Sequence, residues 1–450
     1  MHEELTDSLS PASPSASDRP QAWPFIVLCS FVIASGIVLR FWDLGYPEQL
    51  TFDEHHFVKN ARNYLRHKAD WNDHPPLGKL LISFSMTLGQ DNSFFFRLPS
   101  ALLGCLSLLF GGLLASRLFR SLSAGLLAAS FLAADGFLIA YSRTALLDGM
   151  LTSLSLGALY LGARADGISL FASSLLVGAA MSTKLSGITL LGPLCGLLLL
   201  RALQARFQLP ALGRSFLGEC GNSAWKWLVA ACALPALSVF FYLLVWRYGL
   251  SLSHAPSTFA AAIDATREMI AHHSVLTERS HPLVTPWWEW VVPTRPITLY
   301  QQSLGDGMQR TVTSMGNPLL WWTVASGWVL TLFLIPLLFV SERIRRSLVP
   351  WSPLWRYQAE KVWLAIAFLA YIFPWMVSSR DSYFYHYLPA YGIGLVLAAG
   401  YLASSKPTSR LVPLAYLSCV CLLSAFYAPV WTKTPIADEM AALRVLPGHR

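Results

Sequence analysis

The chain has 450 residues, 54% of them hydrophobic and 13% charged, with a net charge of +8. Soluble domains carry roughly 25% charged residues, so a soluble fold of this size is excluded, because it could not hide so much apolar surface. In a soluble protein the positive charge would suggest nucleic acid. Here the basic residues sit in short segments between apolar blocks, so membrane topology accounts for them and no nucleic-acid partner is implied.

Residues 1–22 are polar and rich in Ser and Pro, and read as a disordered cytoplasmic tail. The block that follows is too long for the apolar core of a signal peptide, and no clear small-residue cleavage site comes after it. Blocks of roughly 17–22 apolar residues suit a hydrocarbon core of about 30 Å. They predict eleven spans: 23–42, 98–116, 122–141, 145–163, 168–183, 185–203, 227–247, 318–340, 360–378, 384–404 and 411–428. With the N-terminus inside, fourteen basic residues, including Arg343, Arg345 and Arg346, face four acids in the cytoplasmic segments (Asp166, Glu219, Glu342, Glu360). That bias sets the orientation. Two long loops, 43–96 and 248–317, then lie outside, as does a tail at 429–450, and most of the histidines fall on that face. Six cysteines fall in spans and Cys220 in a cytoplasmic segment, so no external disulfide framework is expected.

The first outer loop contains Thr51-Phe52-Asp53-Glu54-His55-His56-Phe57 directly after the first span. Residues 58–67 mix apolar and basic residues at helical spacing, which predicts a short helix on the membrane surface. Asp73-His74-Pro75-Pro76-Leu77-Gly78-Lys79 follows, and its prolines stop one element and start another. The short apolar run 80–88 predicts a second interfacial helix. Adjacent Asp53 and Glu54 at a membrane edge read two ways. Either they are solvated helix caps, or one is a general base on a hydroxyl while its neighbour orients a reactant. His55, His56 and His74 supply metal-ligand chemistry, but neighbouring histidines on a helix point apart and make poor co-ligands, which makes a metal the weaker reading.

Arg97 opens the second span after Phe94-Phe95-Phe96. Arg143, in Tyr141-Ser142-Arg143-Thr144-Ala145-Leu146-Leu147-Asp148, and Lys184, in Met181-Ser182-Thr183-Lys184-Leu185-Ser186-Gly187, lie at outer turns. Arg380 and His386 frame Arg380-Asp381-Ser382-Tyr383-Phe384-Tyr385-His386-Tyr387-Leu388-Pro389. A single base at that depth snorkels to lipid headgroups. Several cations sharing one face with a carboxylate pair match a lipid-linked phosphate, which they would hold and stabilise as a leaving group. Asp148 either pairs with Arg143 or acts directly. The second loop holds His281-Pro282, then Thr285-Pro286-Trp287-Trp288-Glu289-Trp290, whose tryptophans suit either the membrane interface or a sugar or peptide.

Together these segments resemble the protein O-mannosyltransferases, which transfer mannose from a polyprenyl phosphate to Ser or Thr hydroxyls. Phe52-Asp53-Glu54-His55-His56-Phe57 is similar to the family's F-D-E-x-H-F motif, and His74-Pro75-Pro76-Leu77-Gly78-Lys79 to its H-P-P-x-x-K motif. Arg97-Leu98-Pro99-Ser100-Ala101-Leu102-Leu103-Gly104 resembles its R-x-x-S-A-x-x-G stretch. The segments around Arg143, Lys184, Gly316-Asn317-Pro318 and Tyr385-His386-Tyr387 match in order, so the resemblance covers roughly residues 23–405.

The resemblance implies an all-α polytopic membrane protein of the GT-C glycosyltransferase type, with about eleven transmembrane helices and interfacial helices in the first outer loop. Residues 23–428 would be the catalytic domain. It makes Asp53 the expected base and Glu54 its essential neighbour, and puts Arg97, with Arg143 and Lys184, near the donor phosphate. His55, His74, Lys79, Asp148, His281, Trp288, Arg380 and His386 are further candidates. The implied partners are membrane lipids, a polyprenyl-phosphate mannose and an unfolded or translocating secreted protein. The lipid-linked sugar is a substrate, so no cofactor is expected, and the resemblance implies no metal. The second loop leaves no room for the MIR domain of eukaryotic members, so a bacterial member is expected, in the inner membrane with its site facing the periplasm. Leu283 stands where a tyrosine is expected after His-Pro. Two rivals remain: a GT-C enzyme with a lipid or glycan acceptor, and a non-catalytic lipid transporter. A transporter would bury its charges at mid-span rather than at the outer edge.

Overall fold

The structure is a computed structural model describing residues 23–69, 71–207, 223–275, 282–292, 295–336, 357–403 and 411–444. The predicted tail 1–22, the basic cluster at 343–346 and His281 lie outside the described residues.

Among the described residues each apolar block forms helix. In chain order these helices are α1 (Trp23–Phe41), α4 (Ser93–Phe119), α5 (Leu122–Ala134), α6 (Gly136–Ser142), α7 (Leu147–Arg164), α8 (Gly167–Thr183), α9 (Leu191–Phe207) and α10 (Ala224–Leu252). They continue with α13 (Pro318–Leu334), α14 (Gln358–Val377), α15 (Leu388–Ala403) and α16 (Leu411–Tyr427). Among the described residues five stretches are individually long and apolar enough to cross a bilayer: α1, α4, Leu185–Phe207, α10 and α14. Joined, α5 and α6 make a sixth, bent by 65°. The chain is a multi-pass membrane protein.

The bend within the predicted span 122–141 has a local cause. Asp135 Oδ1 accepts the amides of Phe137 (3.0 Å) and Leu138 (3.2 Å), which caps α6 and ends α5. Its Oδ2 accepts Asn317 N (2.9 Å) and the Tyr391 hydroxyl (2.8 Å). The buried carboxylate is thereby satisfied by four donors, and it ties the bend to the starts of α13 and α15.

Bundle helices approach closely where small residues face each other. A Cβ on Gly125 of α5 would lie 2.8 Å from the Gly112 carbonyl of α4, so only glycine permits this crossing. Helix α4 packs against α5 and α7, and α8 against α7 and α10. Helix α15 is buried along nearly its whole length against α14, α5, α13 and α7.

The loop 43–96 holds two helices where the interfacial pair is expected, α2 (Glu54–Leu65) and α3 (Leu77–Gly89). Both begin a few residues earlier than the predicted 58–67 and 80–88. The second loop supplies α11 (Phe259–Val275), α12 (Trp287–Val291) and a hairpin of β1 (Thr298–Gly305) and β2 (Met308–Thr313). The hairpin turns through Asp306 and Gly307, both at positive φ, as a tight two-residue turn requires. A third strand, β3 (Ile436–Ala437), joins β2, flanked by the short helices α17 (Pro429–Thr432) and α18 (Asp438–Ala442). This small sheet was not expected in an all-α reading. The described part of the tail, up to residue 444, is accordingly a docked strap. Lys433 Nζ donates to the Tyr46 carbonyl in the first loop, and Arg310 of the hairpin donates to the Lys433 carbonyl (3.4 Å).

Candidate active site

The chain turns sharply into α2. Phe52 sits at φ 47°, a conformation costly for a non-glycine residue. Asp53 follows at the N-cap position, but its carboxylate does not cap the helix. Of the two uses open to this residue, the capping one is therefore not made, and the half-buried side chain stands at the start of α2.

Glu54, one residue on, has no exposed surface. Its Oε1 accepts Arg97 Nε (2.8 Å) and Ala145 N (2.8 Å), and its Oε2 accepts Arg97 Nη2 (2.9 Å), Thr51 N (2.9 Å) and Thr51 Oγ1 (3.1 Å). Burial alone would raise its pKa. The hydrogen bonds and charge of Arg97, with the amides of Ala145 and Thr51, outweigh it and hold the carboxyl below the usual range. Glu54 is thus a fixed anion joining α2 to α4 and to the α6–α7 turn.

Arg97 is equally committed. Its other N–H groups donate to the carbonyls of Leu44 (3.1 Å), Pro47 (2.9 Å) and Gln49 (3.2 Å). A guanidinium has five N–H donors, and all five are used within the protein. Arg97 therefore has none left for a donor phosphate, and its geometry is that of a brace for the first loop.

A second buried pair lies between α7 and the end of α8. Lys184 Nζ is 2.7 Å from Asp148 Oδ1. Of the two sequence alternatives for Asp148, pairing with Arg143 is corrected here: Lys184 is its partner, brought in because the chain runs extended at Lys184 before a 3-10 turn (Leu185–Leu190). The ammonium also lies 4.7 Å from the centre of the Tyr385 ring. Tyr385 and Tyr141 both lie within electrostatic reach of Asp53 and Asp148, so α2, α6, α7 and the 380–387 segment converge.

Histidines close the other side. The rings of His74 and His273 are 5.4 Å apart, and His273 Nε2 lies 2.5 Å from the Asp73 carbonyl. Burial, then the charges of Lys184, His273, Lys79 and Arg380, push the His74 pKa well below its usual value, so the ring is neutral at pH 7. His386 Nδ1 accepts the Tyr383 amide (3.0 Å), and its ring stacks on Trp375 at 3.8 Å. Arg380 lies 5.7 Å from the same Trp375 ring. The second outer loop anchors this segment through Thr285 N to Ser382 O (2.9 Å) and Ser382 Oγ to Thr285 O (2.7 Å).

The structure thus brings together Asp53, Asp148, Lys184, His74, Arg380 and His386. Lys79 is buried beside them and braces the proline turn through Asn72 Oδ1 and the His74 carbonyl (2.6 Å). Arg143 is fully buried and donates to the carbonyls of Leu39 and Thr432 (3.4 Å), on the side of α1 and the strap. His55 and Trp288 are exposed, and His281 lies outside the described residues. Among the described residues no three His, Cys, Asp or Glu side chains converge as a metal site. Sequence reasoning passed over Tyr385, His273 and Trp290. Tyr385 and Trp290 lay inside the quoted segments. His273 sits in a helix with no motif, and only the gathering of histidines on the outer face pointed toward it.

With this geometry in view, comparison with known proteins is decisive. Residues 29–92 and 87–251 match the profile of dolichyl-phosphate-mannose-protein mannosyltransferase, and residues 258–437 that of the C-terminal four-transmembrane region of protein O-mannosyltransferase. The chain belongs to the protein O-mannosyltransferase family. It is 25% identical to the polyprenol-phosphate-mannose–protein mannosyltransferase of Mycolicibacterium smegmatis over 508 residues, covering 96% of this chain and 94% of the relative. The Mycobacterium tuberculosis protein of the same name is 25% identical over 515 residues, with 96% and 93% covered. Among solved structures, the Saccharomyces cerevisiae Pmt1-Pmt2 complex bound to its sugar donor superposes with a TM-score of 0.77 at 15% identity, covering 94% of this chain and 92% of that one. ArnT from Cupriavidus metallidurans bound to undecaprenyl phosphate gives 0.55 at 16% identity, covering 87% and 63%. The mannosyltransferase fold here is GT-C, as the sequence resemblance implied.

Proposed function

We propose that this mannosyltransferase-family chain moves mannose from a polyprenyl-phosphate mannose to Ser or Thr hydroxyls of exported, unfolded proteins, at the periplasmic face of a bacterial inner membrane. The observation that carries the reading is that Asp53, next to the Glu54 held by Arg97, acts on Tyr385 together with Arg380, while the Lys184 ammonium lies 4.7 Å from the same ring. The hydroxyl oxygen attacks the anomeric carbon, and Asp53 takes its proton. The bond from that carbon to the phosphate oxygen breaks, the polyprenyl phosphate leaves, and the configuration inverts. Lys184 and Arg380 stabilise the departing anion in a water-poor site. Arg97, its five donors committed to protein acceptors, acts as a positioning residue, and Arg143 holds the α6–α7 turn to α1 and the strap. A groove of about 540 Å³ between α2, α3 and α10, lined by Leu77, Leu80, Leu81, Leu244 and Val245, suits the prenyl tail.

The test is incubation of purified protein with radiolabelled polyprenyl-phosphate mannose and either a Ser/Thr-rich peptide or a lipid acceptor. Label on the peptide supports the reading. Label on the lipid alone assigns the same fold a different acceptor, and label on neither removes the enzyme.

A further inference from the structure

His273 is the one histidine of the pocket that no sequence motif marks. It reaches the pocket from α11, in the second outer loop. Its Nε2 lies 2.5 Å from the Asp73 carbonyl. A carbonyl only accepts, so Nε2 carries the proton and Nδ1 carries a lone pair. That Nδ1 is buried and has no hydrogen-bond partner. Buried polar atoms are seldom left unpaired, and one that stands among the site's ionisable groups calls for a partner. The surroundings keep the ring neutral. Burial, then the Arg380 and His272 charges, oppose a second proton on it and outweigh Asp73, which favours one.

A lone pair in a pocket of cations rejects a phosphate oxygen and accepts an O–H. A polyprenyl-phosphate sugar is a phosphodiester with a hydrocarbon tail, so its only O–H groups belong to the sugar. The acceptor hydroxyl, for its part, faces the carboxylate that takes its proton. We propose that His273 reads one hydroxyl of the transferred sugar, accepting it at Nδ1, and so helps decide which sugar is moved. This rests on the functional reading above. The Asp73 carbonyl acts as the positioning group, fixing the tautomer just before the His74-Pro75-Pro76 turn.

The test uses the full chain in detergent, a Ser/Thr peptide and synthetic polyprenyl-phosphate donors carrying mannose or its 2-, 3-, 4- or 6-deoxy analogue. For the wild type, one deoxy donor should lose about tenfold in kcat/KM, the loss of one neutral hydrogen bond. In His273→Phe that penalty should vanish while the other three deoxy penalties stay. His273→Gln, which keeps an acceptor oxygen, should retain part of it and covers the case in which the larger ring does not fold. Four penalties unchanged in both variants would overturn the assignment and leave the transferase reading standing. Failure of the wild type to transfer mannose at all would instead overturn the functional reading, and this one with it.

Discussion

Glu54 and Arg97 meet through two hydrogen bonds, Nε to Oε1 at 2.8 Å and Nη2 to Oε2 at 2.9 Å, and neither side chain is exposed. The pair joins the segment that carries Asp53 to the first turns of α4. Breaking a buried pair by removing one partner costs about 3–5 kcal/mol, because the other charge is left uncompensated. Arg97→Met should therefore lower the melting temperature in detergent sharply and abolish transfer with it. The double variant Glu54→Leu with Arg97→Met should recover part of the stability but not the activity. An unchanged melting temperature in Arg97→Met would show that the pair holds nothing together.

The Lys184–Asp148 pair is expected to behave differently, because Lys184 also faces the leaving group in the proposed reaction. Lys184→Met should raise KM for the donor and lower kcat/KM by about 10–100-fold, the range of a charge-assisted hydrogen bond. Asp148→Asn keeps the cation and should lose less. Steady-state kinetics with varied donor separates the two. Equal losses would mean that Asp148 matters in its own right.

Acid should destabilise the fold in two windows. Burial and the Arg380 charge bring His273 down to about 4. An unfolded histidine takes its proton near about 6.5, so the unfolded state binds more protons between those values, and stability falls as pH drops through that window. His74 shifts in the same direction. Glu54 works at lower pH: its depressed folded pKa stabilises the protein above the unfolded carboxyl value near about 4.3 and ceases to do so as pH falls through the folded value. Melting temperatures at pH 7.5 and 5 should differ, and His273→Gln should narrow the gap. A gap of unchanged size would exclude His273 as a contributor.

The C-terminal strap should matter to the fold. It links the hairpin, the first loop and the Arg143 turn through Asp438 N to Gly307 O (2.9 Å), Lys433 Nζ to Tyr46 O and Arg143 Nη2 to Thr432 O (3.4 Å). Removing residues 429–450 should lower the melting temperature well beyond Lys433→Met, which forfeits one hydrogen bond worth about 1 kcal/mol. Equal melting temperatures for the full and shortened chains would make the strap dispensable.

What the sequence made legible was whatever has a period or a spacing. Apolar blocks matched helices, the prolines at 75 and 76 marked the start of α3, and Asp53 and Glu54 stood out as adjacent acids at a membrane edge. Partnership was not legible. Asp148 read as a partner of Arg143 or as acting directly, and its pairing with Lys184 depends on an extended backbone at Lys184 that no spacing announces. Arg97 looked available to a phosphate because nothing in its neighbours announces three carbonyls from the first loop. The bend at Asp135 lies inside a block long enough for one span, and its cause includes Asn317 and Tyr391, far along the chain.

Transfer by the Asp53→Asn variant tests the account most directly. The substitution keeps the shape of the side chain and removes the base. With radiolabelled polyprenyl-phosphate mannose and a Ser/Thr-rich peptide, the variant should fold with the wild-type melting temperature, bind the donor and transfer at a rate reduced by at least about 10²-fold, the contribution expected of a general base. Transfer at the wild-type rate would contradict the account and return Asp53 to an ordinary place at the start of a helix.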